Sequence, residues 1–258
     1  MAHLCAKCGC LYPDDAIEQT APEERQCPQC GSERVSAEAP AGLATVSATA
    51  HGPDRIEIAA RLWPRWAGIA IDQALAARLA REQAVAATDP SAESSALNEE
   101  FNAALVAVAS SAHTLDALYG SVVPATSRAQ WRRNRTKRRT AVHEGLKLVF
   151  ATGPRNTAWV DEFKWLFSLR DASVHHEEKP RKTVPHPSLD THTGPEYAAY
   201  STESADRAVR LMLEVLRWCV DHPRPQAPTT GPQTPTADQW AEDNKPAVTG
   251  LESRWAQA

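Results

Sequence analysis

Two pairs of cysteines near the start of the chain have the spacing of metal ligands. Cys5 and Cys8 form one Cys-x-x-Cys unit, Cys27 and Cys30 form another, and a glycine follows each unit. A turn of this kind brings two thiolates to one side, and 18 residues separate the two units. Four thiolates in a tetrahedron are a ligand set that Zn²⁺ prefers. Because two matched units are far less ambiguous than one, the sequence predicts a structural zinc ion within residues 1–36.

The predicted metal site is closed, so it serves structure or recognition rather than catalysis. Four protein ligands leave no open position on the metal for a substrate. A segment of about 35 residues with few large apolar side chains does not fold without a bound metal ion. The pattern resembles a zinc ribbon, which implies a module for recognition or assembly. Free thiols or a redox pair are the alternatives, and Cys10 and His3 are further candidate ligands.

A second group of chemically capable residues consists of Arg170, Asp171, His175 and His176. It follows an apolar stretch that is predicted to be helical. On an ideal helix His175 lies about 140° around the axis from Arg170, and His176 lies about 120° the other way. The side chains therefore converge only if the helix end distorts or if a second copy of the chain contributes.

The residue types of this second group suit the cleavage of a phosphodiester. Histidine titrates near neutral pH and can move the proton of a ribose 2′-hydroxyl or of a leaving 5′-oxygen. The guanidinium of Arg170 is permanently charged and binds phosphate oxygens through two N–H groups. Asp171 would orient Arg170 or a histidine. The alternative is an ion pair at the surface, because cations near a helix C-terminus suit the helix dipole.

A basic segment over residues 128–139 carries seven cations and no acidic residue. Without it, 21 Lys and Arg stand against 32 Asp and Glu, so the rest of the chain carries a charge of −11. A positive strip on an acidic body is typical of a contact with a phosphate backbone. Trp131 would stack on a base, whereas the alternative is a solvated helix start with a packed tryptophan. The predicted RNA-contacting residues are Arg128, Trp131, Arg132, Arg133, Arg135, Lys137, Arg138 and Arg139.

The composition excludes several other classes of protein. The net charge of −4 is not that of a uniformly basic nucleic-acid coat, and 11 Gly and 19 Pro in 258 residues are too few for low complexity. The chain has no run of about 18 apolar residues, so no membrane span is predicted. Its N-terminus lacks the pattern of a secretory signal. We therefore expect a cytoplasmic protein without membrane contact, in which paired cysteines hold metal rather than a disulfide.

The apolar periodicity predicts a mainly α fold. Alanine is abundant and isoleucine is scarce, which favours helix over strand. The clearest apolar stripe runs from Leu97 to Val122 at steps of three and four. Further helices are predicted over residues 63–87, 128–150 and 157–176, and after Ser201.

These patterns divide the chain into four parts. Residues 1–36 form the predicted zinc ribbon, and residues 37–62 form a linker or a short hairpin. Residues 63–222 form a predicted bundle of four or five helices. Residues 223–258 are rich in proline and polar side chains, so we expect a disordered tail. Two tryptophans within this tail mark either a transient helix or a docking segment.

Residues 63–222 resemble the HEPN domains (higher eukaryotes and prokaryotes nucleotide-binding), which are all-α bundles of four or five helices. Many of these domains carry an Arg, a polar residue and then a His after four to six intervening positions. Arg170, Asp171 and His175 match this order with four residues between Arg and His, and His176 matches it with five. The long second helix, and the position of the motif near the end of the penultimate helix, also agree.

The resemblance implies a metal-independent endoribonuclease that acts as a homodimer with facing motifs and leaves 2′,3′-cyclic phosphate ends. It also implies an origin in bacterial defence or a toxin–antitoxin pair, with an antitoxin or another protein as partner. The zinc ribbon would then aid recognition of RNA or of that partner. Two alternatives stay open: a non-catalytic domain that binds nucleic acid or nucleotides, and an adaptor that uses its ribbon and tail.

Overall fold

The computed structural model of the chain describes the backbone of residues 2–4, 11–13, 37–38, 46–50, 56–151, 154–174, 181–187, 189, 192–224 and 236–257. Side chains are described for residues 61–124, 126–151, 158–174, 181–187, 189, 192–224 and 236–257. The chain divides into two compact units, Met1–Arg61 and Leu62–Ala258.

The first unit contains short antiparallel strands. β1 (Ala2–Leu4) lies between β2 (Leu11–Pro13) and β3 (Ala37–Glu38) in one sheet. β4 (Val46–Ala50) pairs with β5 (Ile56–Ala60) in a second, two-stranded sheet. Of the linker and the hairpin considered for this second segment, the structure contains the hairpin.

The second unit is built around one long helical hairpin. α1 (Trp63–Ala86) begins with Pro64 in its first turn. α2 (Pro90–Val122) begins after Asp89, whose carboxylate accepts the Ala92 N–H at 3.0 Å. Because the connection is short, the two helices run antiparallel. Both bury faces rich in alanine, and these small side chains let the two helices pack closely.

The basic segment is divided between two helices. α3 (Ala125–Arg133) and α4 (Arg138–Val149) flank a break at residues 134–137. Arg135 has a φ of 52°, which lies in the left-handed region and ends a right-handed helix. The prediction of one continuous helix over residues 128–150 is therefore wrong at this point.

Two further predicted helices complete the interior of the bundle. α5 (Pro154–Val174) packs against α2 and α4, and α7 (Thr202–Asp221) begins after Ser201 and packs against α1 and α2. Cys219 is buried on the apolar face of α7, as expected for a small apolar side chain. Burial raises the pKa of the Cys219 thiol well above its ordinary value. Three short elements lie between these helices: β6 (Val184–Pro185), β7 (His192–Thr193) and α6 (Pro195–Ala199).

The C-terminal segment contains a packed helix, α8 (Ala237–Ala256). Trp240 on this helix is 2% exposed, and its ring packs against the rings of Trp63 and Phe150. The prediction of a disordered tail over residues 223–258 is wrong for this helix. Trp240, with Ala237, Ala241 and Val248, buries an apolar area that the polar composition of the tail did not indicate.

The described residues form a mainly α bundle, which confirms the predicted fold class. Apolar side chains from α1, α2, α4, α5, α7 and α8 share one core. No described helix is long and apolar enough to cross a membrane. The HEPN-like character of the bundle stays a prediction.

Candidate functional site

Arg170 lies one turn before the end of α5, and its side chain is 16% exposed. Its Nη1 lies 3.8 Å from Oδ2 of Asp116 on α2, and its Nε lies 2.9 Å from Oδ1 of Asp171. The second contact is an ion pair without hydrogen-bond geometry, so the buried Nε–H has no acceptor among the described atoms. The guanidinium also lies 5.1 Å from the ring centroid of Phe167. Arg170 is thus held in place while part of its hydrogen-bonding capacity stays unused.

Asp116 connects Arg170 to a second arginine. Arg138 is the first residue of α4, and its Nε donates a hydrogen bond to Asp116 Oδ1 at 2.8 Å. The Arg138 guanidinium lies 4.5 Å from the ring centroid of Tyr119. The Asp116 side chain is 18% exposed, so one half-buried carboxylate contacts two guanidiniums from different helices.

Arg128 on α3 brings a third guanidinium to the same part of α2. Its Nη1 lies 4.0 Å from the point where a Cβ on Gly120 would stand. Its buried Nε–H has no hydrogen-bond acceptor among the described atoms. Arg128 therefore resembles Arg170 in its unused donor.

Tyr119 is the aromatic residue beside these arginines. Burial raises the pKa of the Tyr119 hydroxyl, whereas the charges of Arg138, Arg128 and Arg132 lower it. The Tyr119 ring packs directly against Gly145 on α4. A side chain at this position would not fit, because a Cβ on Gly145 would lie only 2.7 Å from the ring carbons.

We call Arg128, Arg138 and Arg170, together with Asp116, the arginine cluster.

The arginine cluster carries more positive than negative charge. Arg138 and Arg170 contact Asp116, Arg170 also contacts Asp171, and the Asp171 side chain is 62% exposed and so screened by solvent. Among the described residues, no carboxylate pairs with Arg128. Within the described ranges, the neighbouring Arg132 and Arg133 have no ion-pair partner, and both are exposed. A surplus of oriented guanidiniums attracts an anion such as phosphate.

His113 lies beside the arginine cluster, although it belongs to no motif in the sequence. It precedes Asp116 by three residues on α2, so the two share one face of the helix. Its ring packs against the ring of Trp66, with the centroids 5.0 Å apart. Burial lowers the pKa of His113, the charge of Arg170 lowers it further, and Asp116 partly opposes both. In the sequence, the only sign of a role for His113 is that it precedes Asp116 by three residues. This spacing becomes informative only when the structure shows that Asp116 contacts Arg138 and Arg170.

The structure brings Arg170 together with Arg128 and Arg138 from the predicted RNA-contacting set. Trp131 is half-buried and stacks on Tyr119 with the centroids 6.0 Å apart, so one face of its ring is covered. The packed alternative therefore describes Trp131 better than a free platform for a base. The other predicted members are exposed or half-buried at the surface: Arg132, Arg133, Arg135, Lys137 and Arg139.

Several predicted site residues lie outside the described part of the chain. His175 and His176 follow α5 directly in sequence, and their roles stay predictions, as do those of the four zinc-ligand cysteines. In the ranges for which side chains are described, no group of three or more His, Cys, Asp or Glu residues is arranged to hold a metal ion.

A second arginine–carboxylate pair lies towards the other end of α2. Glu100 is 1% exposed and accepts two hydrogen bonds from Arg81 on α1, one of them at 2.9 Å. It also accepts the Thr202 N–H at 2.7 Å and the Thr202 hydroxyl at 2.8 Å, so it caps the first turn of α7. Arg81 further contacts His186 and Glu203. The Arg81–Glu100 pair thus has its hydrogen-bonding groups satisfied inside the protein.

Comparisons with known proteins place the chain in no family. No protein-family model matches it, no curated protein matches it, and no solved structure matches it. The function must therefore be argued from the residues and their geometry.

Proposed function

We propose that the protein binds RNA at the arginine cluster and cleaves the phosphodiester backbone without a metal ion, in the manner that the resemblance to HEPN domains implies. Arg170 binds the phosphate, with Asp171 orienting its guanidinium. His175 or His176 moves the proton of the 2′-hydroxyl or of the leaving 5′-oxygen. The products are a 2′,3′-cyclic phosphate and a 5′-hydroxyl.

The observation that carries the proposal is the convergence of three guanidiniums, from α3, α4 and α5, on the same part of α2. Arg170 belongs to the Arg–His motif, whereas Arg128 and Arg138 belong to the basic segment. Two features that are separate in the sequence therefore support one site.

The state of the guanidinium groups also supports phosphate binding. A buried ion pair is stable only when its remaining hydrogen-bonding groups are satisfied. Arg128 and Arg170 each keep a buried Nε–H without an acceptor among the described atoms. A phosphate would bind the part of the Arg170 side chain that stays exposed, which is 16% of its surface, rather than the buried Nε–H. Guanidinium N–H groups bind phosphate oxygens and stabilise the charge that develops during phosphoryl transfer.

The exposed cations of the basic segment extend this positive surface. Arg132, Arg133 and Arg135 are exposed on α3 and the break that comes after it. Lys and Arg side chains of this kind bind a nucleic-acid backbone without reading its sequence. They would hold the strand on either side of the phosphate at Arg170.

On this proposal, Cys5, Cys8, Cys27 and Cys30 hold one structural zinc ion, and the zinc ribbon aids recognition of RNA or of a partner protein. The protein acts as a homodimer, because a second copy offers one way for a motif histidine to meet Arg170. Metal analysis is expected to find one zinc per chain. Light scattering is expected to give twice the chain mass of 28.1 kDa.

The test uses the full chain and a mixed, end-labelled RNA in EDTA, beside the Arg170→Ala/His175→Ala/His176→Ala variant. EDTA suppresses contaminating metal-dependent nucleases, and zinc retention is measured in the same samples. A His222→Ala/Arg224→Ala variant is the matched control, because both side chains are exposed at the end of α7. We expect cyclic-phosphate ends from the wild type and the control, and none from the triple variant.

Two results would count against the proposal. Equal cleavage by the folded triple variant would remove these residues from the reaction. No cleavage by a folded, zinc-loaded wild type that still binds RNA would instead favour a non-catalytic RNA-binding domain.

A further inference from the structure

We infer that His113 is a second proton-transferring residue of the proposed site, supplied by the same chain as Arg170. Transesterification of RNA needs a base for the 2′-hydroxyl proton and an acid for the 5′-oxygen. The motif offers only His175 and His176 for both tasks. The inference rests on the proposed function and adds a catalytic residue that lies in neither the motif nor the basic segment.

The position of His113 is the first argument. It lies one turn before Asp116 on α2, and Asp116 contacts both Arg138 and Arg170. Residues three apart on a helix have Cβ atoms about 5–6 Å apart, so His113 is a helix neighbour of the carboxylate that contacts Arg170. We expect a phosphate bound at Arg170 to place a neighbouring ribose beside this part of α2.

The packing of His113 is the second argument. Its ring rests on Trp66 of α1, with the ring planes 37° apart, and this contact restricts the orientation of the imidazole. Both residues are half-buried, so the ring is held and yet partly accessible. A proton-transferring group needs a fixed orientation, so that it is aligned before the substrate binds. It also needs access to the substrate.

The charge environment of His113 is the third argument. Burial and the charge of Arg170 lower its pKa, and Asp116 only partly opposes them. The imidazole is therefore neutral at neutral pH and has a free lone pair on one ring nitrogen. A neutral imidazole is the form that a general base requires.

The other histidines with described side chains differ from His113 in these respects. His186 also neighbours an arginine and a carboxylate, but it is 6% exposed within the satisfied Arg81–Glu100 group. His143 is 7% exposed and lies 3.1 Å from Glu144. His222 is exposed and stacks on Trp218, and the arginine–carboxylate group next to it in sequence, Arg217 with Asp221 and Glu252, is separate from the arginine cluster. His192 is exposed on β7. Of these described residues, His113 alone is a partly accessible neighbour of Asp116 on α2.

The proposed step balances in atoms and charge. The 2′-oxygen attacks phosphorus and forms a bond, while its proton passes to the neutral ring nitrogen of His113. The bond between phosphorus and the 5′-oxygen breaks, and the leaving oxygen takes a proton from a protonated His175 or His176. Exchange with water then restores both groups, and no oxidant or reductant is involved.

The experiment measures single-turnover cleavage of labelled RNA by the full chain as a function of pH. We compare the wild type with His113→Gln and with His222→Gln, whose histidine also stacks on a tryptophan. We expect His113→Gln to lose about 10²–10⁴-fold in rate, as for other lost general bases. It should also lose the limb of the pH profile in which the rate rises from acid to neutral pH. His222→Gln should retain both the rate and the profile.

Two additions separate a catalytic role from a structural one. Free imidazole should restore part of the rate of His113→Ala, which a role in packing alone does not predict. In the histidine NMR spectrum, Arg170→Gln should raise the pKa of His113, because it removes a neighbouring positive charge.

The outcomes distinguish the two proposals. If the wild type cleaves RNA, but His113→Gln keeps its rate and its acid limb, the role of His113 is overturned and the site at Arg170 stands. If His113→Gln unfolds, the test is whether free imidazole restores part of the cleavage rate of His113→Ala. If imidazole does not restore it, the inference is overturned. If the folded wild type cleaves no RNA, the proposed function fails and the role of His113 fails with it.

Discussion

Two arginine–carboxylate groups lie towards opposite ends of α2, and they differ in burial and in how fully they are hydrogen-bonded. Towards its N-terminus, Glu100 is 1% exposed and pairs with Arg81. Towards its C-terminus, the Asp116 side chain is 18% exposed and lies between Arg138 and Arg170. The two carboxylates are about 24 Å apart along the helix, at about 1.5 Å per residue.

The two groups differ in how completely their hydrogen bonds are made. Glu100 accepts four hydrogen bonds, two from Arg81 and two from Thr202. Asp116 accepts one hydrogen bond and makes one longer ion contact. The first group joins α1, α2 and α7, whereas the second leaves guanidinium N–H groups unused.

On the proposed function, this difference separates a stabilising group from a phosphate-binding group on one helix. Burying a charge without a partner costs several kcal/mol of folding free energy. A fully hydrogen-bonded pair such as Arg81–Glu100 avoids this cost. An excess of cations with unused donors contributes little to stability, but it suits an anionic ligand. Substitutions in and around the two groups test whether the first stabilises the fold and the second binds a ligand. The expected effects are given from the largest to the smallest.

Glu100→Ala should have the largest effect on stability. The substitution leaves the Arg81 guanidinium buried without its carboxylate and removes the acceptor at the start of α7. We expect the free energy of unfolding to fall by about 3–5 kcal/mol, as when other buried pairs are broken. Urea unfolding followed by circular dichroism measures this loss.

Asp116→Ala is the matched control for Glu100→Ala. Its pairs with Arg138 (44% exposed) and Arg170 (16% exposed) are more accessible than the Arg81–Glu100 pair, so we expect a smaller loss, about 1–2 kcal/mol. A loss for Asp116→Ala that equals the loss for Glu100→Ala would contradict the division between the two groups.

Gly145→Ala should have an intermediate effect. The new Cβ would approach the Tyr119 ring to 2.7 Å, so the ring beside Arg138 must shift. We expect a loss of about 1–3 kcal/mol in stability, as for other overpacked interiors. Gly250→Ala on α8 is the control, because no atom lies within 4 Å of its new Cβ. Helix propensity predicts that the control gains up to about 1 kcal/mol.

Arg132→Gln/Arg133→Gln should weaken RNA binding without affecting the fold. Both side chains are exposed, and neither has an ion-pair partner among the described residues. With single-stranded RNA, each lost phosphate contact should reduce the salt slope of log affinity by about 0.7, or about 1.4 for both. Fluorescence anisotropy over a series of salt concentrations measures this slope. An unchanged slope would mean that the strand does not run along α3.

Acid should destabilise the Arg81–Glu100 group through His186, with the smallest effect. Burial lowers the pKa of His186 and the charge of Arg81 lowers it further, while Glu100 and Glu203 partly oppose them. In the unfolded chain this histidine titrates near its ordinary value of 6.5. Below that pH the unfolded state binds a proton that the folded state binds less readily, so stability falls as the pH falls towards the lowered pKa.

Thermal unfolding between about pH 7.5 and about pH 5 measures this loss. His186→Gln should flatten part of the dependence, and His113 contributes a term of the same sign. A wild-type stability that rises on acidification through this window would contradict the account.

The helices were largely predictable, because their signals are local. The stripe from Leu97 to Val122 and the cap before α2 depend only on neighbours in sequence. The break at residues 134–137 was missed, since nothing in the basic composition there indicates the left-handed Arg135. The two tail tryptophans indicated a transient helix or a docking segment, but the predicted disorder was wrong because the helix is stabilised by the burial of Trp240 against distant residues.

The candidate site was predictable only in part. The motif and the basic segment pointed to Arg170, Arg128 and Arg138 as separate features. The meeting of Arg138 and Arg170 at Asp116, with Arg128 one turn further along α2 near Gly120, depends on the packing of four helices, which no short pattern encodes. His113 was missed for the same reason, because a lone histidine on a helix has no meaning until its neighbours are known.

The most direct test of the central claim is the rate of RNA cleavage by Arg170→Gln. The account predicts a loss of about 10²–10³-fold, because the guanidinium stabilises charge in the transition state. It also predicts a stability within about 1 kcal/mol of the wild type, because Asp116 keeps its hydrogen bond from Arg138. A folded Arg170→Gln protein that cleaves RNA at the wild-type rate would contradict the claim that the arginine cluster is the site of cleavage.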